Sequence, residues 1–265
     1  MERATDADGH TERVTFPGGA GHELAALRDH PEGESRGTVL VAGAFGSTKE
    51  LRGLRRIAQR LAARGWTALR FDFTGLGGSG GDFAEATLAS HGADVEAAAA
   101  WLRAEGTPAR LAIGLSLGGA AILLAAPSLP EIAVFATLAS PSDTSDLREK
   151  LLARAPDLPL VERAEVDLLG NRVEVGRALL EDLASWDLRE AASRVARPYV
   201  VFHSVKDRVV DIDHAARLFR AAKHPKSFVS LGGADHLLLE DERDAFLVAD
   251  TLAAFGERYA SSPSA

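Results

Sequence analysis

The stretch that most constrains this chain is Gly114-Leu115-Ser116-Leu117-Gly118. A short apolar run, Arg110-Leu111-Ala112-Ile113, leads into it, and a small-residue stretch, Gly118-Gly119-Ala120-Ala121-Ile122-Leu123-Leu124, leads out. Together they read as a buried strand, a sharp turn and a helix, the arrangement that strains a serine backbone and lifts its hydroxyl above the end of a sheet. Glycine is needed at 114 and 118 because a Cβ at either place would collide with the neighbouring strand or helix. A bare G-x-S-x-G arises easily by chance in a chain with 25 glycines. The strand before it and the helix after it give this one structural meaning.

The rest of the chain agrees with a parallel strand backed by a helix. Residues 13–16 and 23–28 read as an opening hairpin around Pro17-Gly18-Gly19, and residues 38–42 as a buried strand. Residues 49–64 place Leu51, Leu54, Ile57, Ala58 and Leu61 at helical spacing, with Gly65 as the C-terminal cap. Further strands are expected at 66–71, 111–115, 132–138, 199–203 and 227–231, and helices at 94–102, 212–222 and 245–259. This alternation predicts an α/β fold, a mostly parallel central sheet with helices on both faces. Residues 1–265 read as one domain. Residues 141–197 are too long for an ordinary crossover and predict a small cap insertion over the strand ends. Within it, residues 165–175 alternate on both sides of Gly170-Asn171, a two-residue hairpin signal.

Composition excludes several classes of function. Hydrophobic residues make up 46% of the chain, enough for a large core. The net charge is −8 and no basic stripe is visible, which argues against nucleic-acid binding. There is no cysteine, so thiol nucleophiles, disulfides and thiolate metal sites are excluded. The first thirteen residues lack the apolar core of a secretory signal. The longest apolar stretch, residues 111–126, falls short of the roughly 20 residues of a membrane span and is broken by glycines and Ser116. A cytoplasmic protein without membrane attachment is expected, its oligomeric state open.

A serine hydroxyl needs a base, and the base needs a third group to orient it. In strand–turn–helix sites of this kind the chain order is Ser, acid, His. His236 follows the last expected strand and is the favoured base. His214 lies within an amphipathic helix and reads as a surface residue, and His224 precedes Pro225 in a connection. Asp207, in the loop after residues 199–203, is the favoured acid, with Asp143 the alternative. Asp235 reads as structural. An oxyanion hole would take the backbone amide of Leu117 and one from the loop 43–47, where Phe45 is the choice. The histidines show no metal-binding spacing, and the glycine-rich segment 75–81 fits neither a phosphate loop nor a dinucleotide site, so neither a metal nor a cofactor is expected. That segment reads as a neighbour of the active site or as a plain turn.

These residues together resemble the α/β-hydrolase superfamily over nearly the whole chain. Phe71-Asp72-Phe73-Thr74-Gly75-Leu76-Gly77, Ser116-Leu117-Gly118-Gly119-Ala120, residues 221–228 and Gly233-Ala234-Asp235-His236 are similar to the hydrolase module sometimes fused to OsmC-type domains. The resemblance implies an α/β-hydrolase fold with Ser116, Asp207 and His236 as a catalytic triad. Relatives carry histidine where this chain has Gly43, and often where it has Leu115. The expected function is a serine hydrolase (an esterase) acting on a small-molecule carboxylic ester through an acyl-enzyme. The alternatives are a thioesterase, amidase or perhydrolase with the same triad, or a silent fold that binds a small ligand.

Overall fold

The computed structural model describes residues 4–6, 9–168 and 171–260. Strands β1 (Ala4–Asp6), β2 (Gly9–Pro17) and β3 (Glu23–Asp29) open the chain as an antiparallel meander. β4 (Thr38–Ala42), α1 (Arg52–Ala63) and β5 (Thr67–Phe71) follow, then α2 (Leu88–Ala104), β6 (Ala109–Leu115), α3 (Leu117–Ala125) and β7 (Val134–Leu138). A long excursion then holds α4 (Ser145–Arg154), β8 (Arg163–Leu168), β9 (Asn171–Gly176), α5 (Arg177–Asp182) and α6 (Leu188–Arg194). The chain closes with β10 (Tyr199–His203), α7 (Ile212–Ala221), β11 (Lys226–Ser230) and α8 (Glu242–Tyr259).

Among the described residues, nine strands form one sheet in the order β1-β2-β3-β5-β4-β6-β7-β10-β11. It is parallel from β5 to β11. β4, β5, β7 and β10 are buried along their whole length, as parallel strands covered on both faces must be. Successive residues serve opposite layers: Val39, Val41, Leu111 and Val200 pack with α1 and α8, while Leu40, Ala112, Tyr199 and Val201 face the core shared with α2, α3 and α7. Because β4, β6, β10 and β11 run the same way, the loops after Ala42, Leu115, His203 and Ser230 emerge at one edge of the sheet. Ligands of open α/β sheets bind at that edge.

Two elements differ from expectation. Helix α2 begins at Leu88, not at 94, because Thr87 and Ser90 form a reciprocal cap: Thr87 Oγ1 accepts from the Ser90 amide at 3.0 Å, and Ser90 Oγ accepts from the Thr87 amide at 2.9 Å. Gly92 looks like a helix breaker in the sequence, but it lies inside α2 and faces α3 at Leu124. In the excursion, β8 and β9 pair antiparallel as expected, but the register Leu168↔Asn171 puts Asn171 in the strand. Asn171 is therefore not a turn residue, and Gly170, the other half of the expected turn, lies outside the described residues. The helices α4, α5 and α6 are additional to the hairpin.

The glycine-rich segment is closed around one carboxylate. Asp72 is fully buried. It accepts from the Lys49 amide at 2.6 Å and from the Gly78 amide at 2.8 Å, and pairs with Lys49 Nζ at 2.5 Å. Gly77 sits at φ 54°, with Asp72 Oδ2 2.2 Å from where its Cβ would be. The turn thus ties the end of β5 to the end of the 43–49 loop. Among the described residues no helix is long and apolar enough to cross a membrane. Asp72→Ala would strand the Lys49 ammonium beside two unpaired amides, and is expected to cost about 3–5 kcal/mol of folding stability. Urea unfolding checks this; a loss below about 1 kcal/mol would show that Asp72 does not anchor the loop.

Candidate active site

Ser116 stands between β6 and α3 with φ 54° and ψ −122°, a conformation non-glycine residues rarely adopt. Its amide donates to the Leu138 carbonyl at 2.8 Å, which fixes the turn to the end of β7. A Cβ on Gly114 would lie 2.3 Å from the Gly118 carbonyl oxygen, and one on Gly118 would lie 2.2 Å from the Gly43 carbonyl oxygen. Both glycines are therefore required by close backbone approach, as the sequence predicts. The second contact presses the 43–47 loop against the start of α3.

Asp207 and His236 meet at the same edge. His236 Nδ1 and Asp207 Oδ2 are 2.7 Å apart, and the Asp207 side chain is almost completely buried. Asp207 Oδ1 also accepts from the amides of Val209 and Val210 at 2.8 and 3.0 Å. Burial pushes this carboxyl up, but the His236 hydrogen bond and charge, with the two amides, outweigh it and hold Asp207 below the usual carboxylate range. An ionised carboxylate only accepts, so the shared proton sits on His236 Nδ1, and Nε2 of the neutral ring is left as a base. Asp143 is elsewhere. Its carboxylate faces His214, Arg217 and Ser145, not His236. Asp235 accepts from the amides of Leu237, Leu239 and Glu240 and shapes the loop that carries His236.

Ser116, Leu117, Phe45 and His236 line one cavity of about 410 Å³. The amides of Phe45 and Leu117 have no acceptor among the described residues. Ser116 Oγ likewise makes no hydrogen bond among them. The glycine-rich segment 75–81 is not part of the cavity lining, so it is the plain turn of the two readings. At Gly43, a Cβ would meet Ser47 Oγ at 3.1 Å and Leu54 Cδ1 at 3.3 Å, so the space beside this residue is taken by Ser47 and Leu54. Among the described residues no three His, Asp or Glu side chains come together to hold a metal ion.

The sequence profile of the alpha/beta hydrolase family matches residues 38–249. The chain belongs to the alpha/beta hydrolase family. It is similar to the esterase domain of a Rhodothermus marinus protein, at 38% identity over 94% of this chain and 98% of that one, with a TM-score of 0.76. The ferulic acid-bound Est1E of Butyrivibrio proteoclasticus shares the fold at 18% identity, over 94% and 100% of the two chains, with a TM-score of 0.79. The Pyrococcus furiosus esterase Pf2001 does so at 16%, over 94% and 92%, with a TM-score of 0.71. No curated protein matches the sequence.

Three histidines of this alpha/beta hydrolase were not legible as site neighbours. His203 lies under Asp207, fully buried, with Nε2 3.6 Å from Asp207 Oδ2 and 2.9 Å from the Val210 carbonyl oxygen. A carbonyl can only accept, so Nε2 carries a proton. Burial holds the ring's pKa below its ordinary value, and the ring stays neutral beside the carboxylate. His214 is buried, not superficial: Nδ1 accepts from the Ser142 amide at 3.1 Å, and Nε2 donates to Asp146 at 3.2 Å. It braces α7 against the start of α4 and lines the cavity.

His91 is fully buried, with neither ring nitrogen hydrogen bonded. Its ring stacks on Phe73 with centroids 4.1 Å apart and lies 6.0 Å from Phe45. Burial pushes its pKa down to about 4. Between the ordinary value near about 6.5 and this lowered one, the unfolded chain binds a proton that the folded chain refuses. Stability therefore falls as the pH drops through that window, and His91 contributes nothing to the pH dependence above it. His91→Leu is expected to remove about 2 kcal/mol of the stability lost between about pH 7 and pH 5. Urea midpoints at the two pH values check this; an acid loss equal to wild type would show that His91 does not titrate as described.

Proposed function

We propose that the chain is a serine hydrolase that cleaves carboxylic esters through an acyl-enzyme, with Ser116 as nucleophile, His236 as base and Asp207 as the group that orients it. The observation that carries this reading is the 2.7 Å Asp207–His236 hydrogen bond at the cavity that also holds Ser116 in its strained turn. His236 Nε2 takes the Ser116 proton as Oγ attacks the acyl carbon. The oxyanion accepts from the unengaged amides of Phe45 and Leu117, the second of which opens α3 and adds the positive end of a helix dipole. The imidazolium then protonates the leaving alcohol. In the second half-reaction His236 activates a water, which frees the acid and restores Ser116. A hydroxyl without a hydrogen bond is common in resting sites of this kind, where the contact tightens as substrate binds.

Carboxylic esters as the substrate class are supported by the 38% identical esterase domain. The likeness to the module fused to OsmC-type domains rests on the motifs quoted above, and implies the same chemistry. We also infer that residues 141–197 act as a cap, since Pro141, Leu147 and Asp167 line the cavity.

A fluorophosphonate probe should label the wild-type protein at Ser116 and leave Ser116→Ala unlabelled. That variant, still folded by circular dichroism, is expected to lose at least about three orders of magnitude in kcat on 4-nitrophenyl acetate. Near-wild-type turnover by the variant would overturn the assignment. Asp207→Asn should lower kcat by about 10³–10⁴, because Nδ1 loses the acceptor that fixes the ring tautomer. Asp143→Asn should change it less than about tenfold. The reverse order of damage, measured on the same ester, would make Asp143 the orienting acid.

A further inference from the structure

Helix α4 and the Asp207 loop give the cavity a wall of unusual charge. Lys150 and Arg154 stand one turn apart on α4, and Arg208 follows Asp207; all three line the cavity. Lys150 Nζ donates to the Val209 carbonyl at 2.7 Å, which holds α4 against the loop that seats Asp207 but cancels no charge. Arg154 and Arg208 have no acidic partner among the described residues. Arg60, Arg70 and Arg103 are paired, with Asp250, Asp29 and Glu131; Arg55 and Arg220 have no acidic partner among the described residues either, but they do not line the cavity. Two carboxylates, Asp146 and Asp167, share the wall with these three cations, and each already has a partner. Asp146 accepts from His214, and Asp167 has a partner of its own.

In a chain of net charge −8, the wall of this cavity still carries three cations against two carboxylates. Such a local field draws anions into a cleft even when the whole protein is acidic. Guanidinium groups suit a carboxylate in particular, because their paired N–H donors match its two oxygens. Two arginines left without carboxylates of their own, beside a cavity that ends at a nucleophile, are placed to receive one from the substrate.

We propose that the cavity selects esters that carry a second, ionised carboxylate, held by Arg154 and Arg208 while the ester carbonyl lies at Ser116. This rests on the serine hydrolase reading. The carboxylate is bound and not transformed; the only bonds that change are those of the ester.

The test compares the mono-4-nitrophenyl esters of adipic and suberic acid with the same compounds capped as methyl esters at the free end. Their chains are long enough that the carboxylate does not readily attack its own ester. At low ionic strength the free acid of at least one chain length should exceed its methyl-capped counterpart in kcat/KM by about fivefold or more, and added salt should shrink that ratio. Arg154→Gln and Arg208→Gln should each cut the ratio by about threefold or more. Arg220→Gln, on the exposed side of α7, removes the same formal charge and should leave the ratio in place. A wild-type ratio at or below one for both chain lengths, with the capped esters still hydrolysed, would overturn the proposal and leave the hydrolase reading intact. So would a ratio indifferent to both cavity substitutions, or lowered equally by Arg220→Gln. Failure to hydrolyse any of these esters would overturn both.

Discussion

A serine held at φ 54° and ψ −122° persists only where its surroundings leave it no relaxed alternative. Such a residue costs about 1–3 kcal/mol in strain, and here the burial of β6 and α3 on either side offsets it. The same turn sets three further features. It starts α3 immediately after Ser116, so the Leu117 amide has no partner within the helix. It requires glycine at 118, whose closeness to the Gly43 carbonyl brings the Phe45 loop to the same point. It hydrogen bonds to Leu138, the last residue of β7, where the chain departs into its long excursion. The Ser116 hydroxyl, the Leu117 and Phe45 amides and the start of the excursion are therefore held by one backbone conformation.

The electrostatics of the site rest on a carboxylate that should, by burial alone, prefer to be neutral. Asp207 is kept charged by two amides and an imidazole N–H, and its charge in turn dictates which His236 nitrogen is bare. A second imidazole beside the same carboxylate could have competed as a cation. His203 does not, because its Nε2 proton is committed to the Val210 carbonyl and burial keeps the ring neutral. The loop is thus satisfied from within, and Lys150 reaches it from outside through the Val209 carbonyl.

Much of this was legible in the sequence because it depends on short-range pattern. The strands 38–42 and 199–203 lie where continuous apolar runs put them, and the Ser116 turn is dictated by its own glycines. The sequence also singles out Asp207 and His236, which the fold brings together from opposite ends of a 29-residue separation. What escaped notice depends on partners distant in sequence. His91 and His203 look like any polar residue until packing shows them buried. His214 sits on a helix whose pattern says surface, because the α4 residues that cover it belong to a segment with weak periodicity. The start of α2 was hidden by a cap built from Thr87 and Ser90 in place of the commoner Glu at its third position, and by a glycine whose role is to admit a neighbouring helix. Arg154 and Arg208 carry no motif at all. Only their shared cavity, and the absence of acids to answer them, gives them meaning.

The excursion between β7 and β10 leaves and rejoins adjacent parallel strands, where Phe135 pairs with Tyr199 and Leu138 with Phe202. Its hairpin, β8 with β9, forms a separate two-stranded ribbon and adds no strand to the main sheet. The register of the central sheet is therefore blind to what lies between those two strands, and closing a longer or shorter loop there changes chain entropy only slowly. What ties the excursion to the scaffold is side-chain packing, with Leu151, Leu183 and Leu188 in the same buried cluster as Val95 and Ile122, and not strand pairing. Descendants of this scaffold could trade one wall of the cavity for another, and with it the charge presented to a ligand, while the serine turn and its partners stay in place.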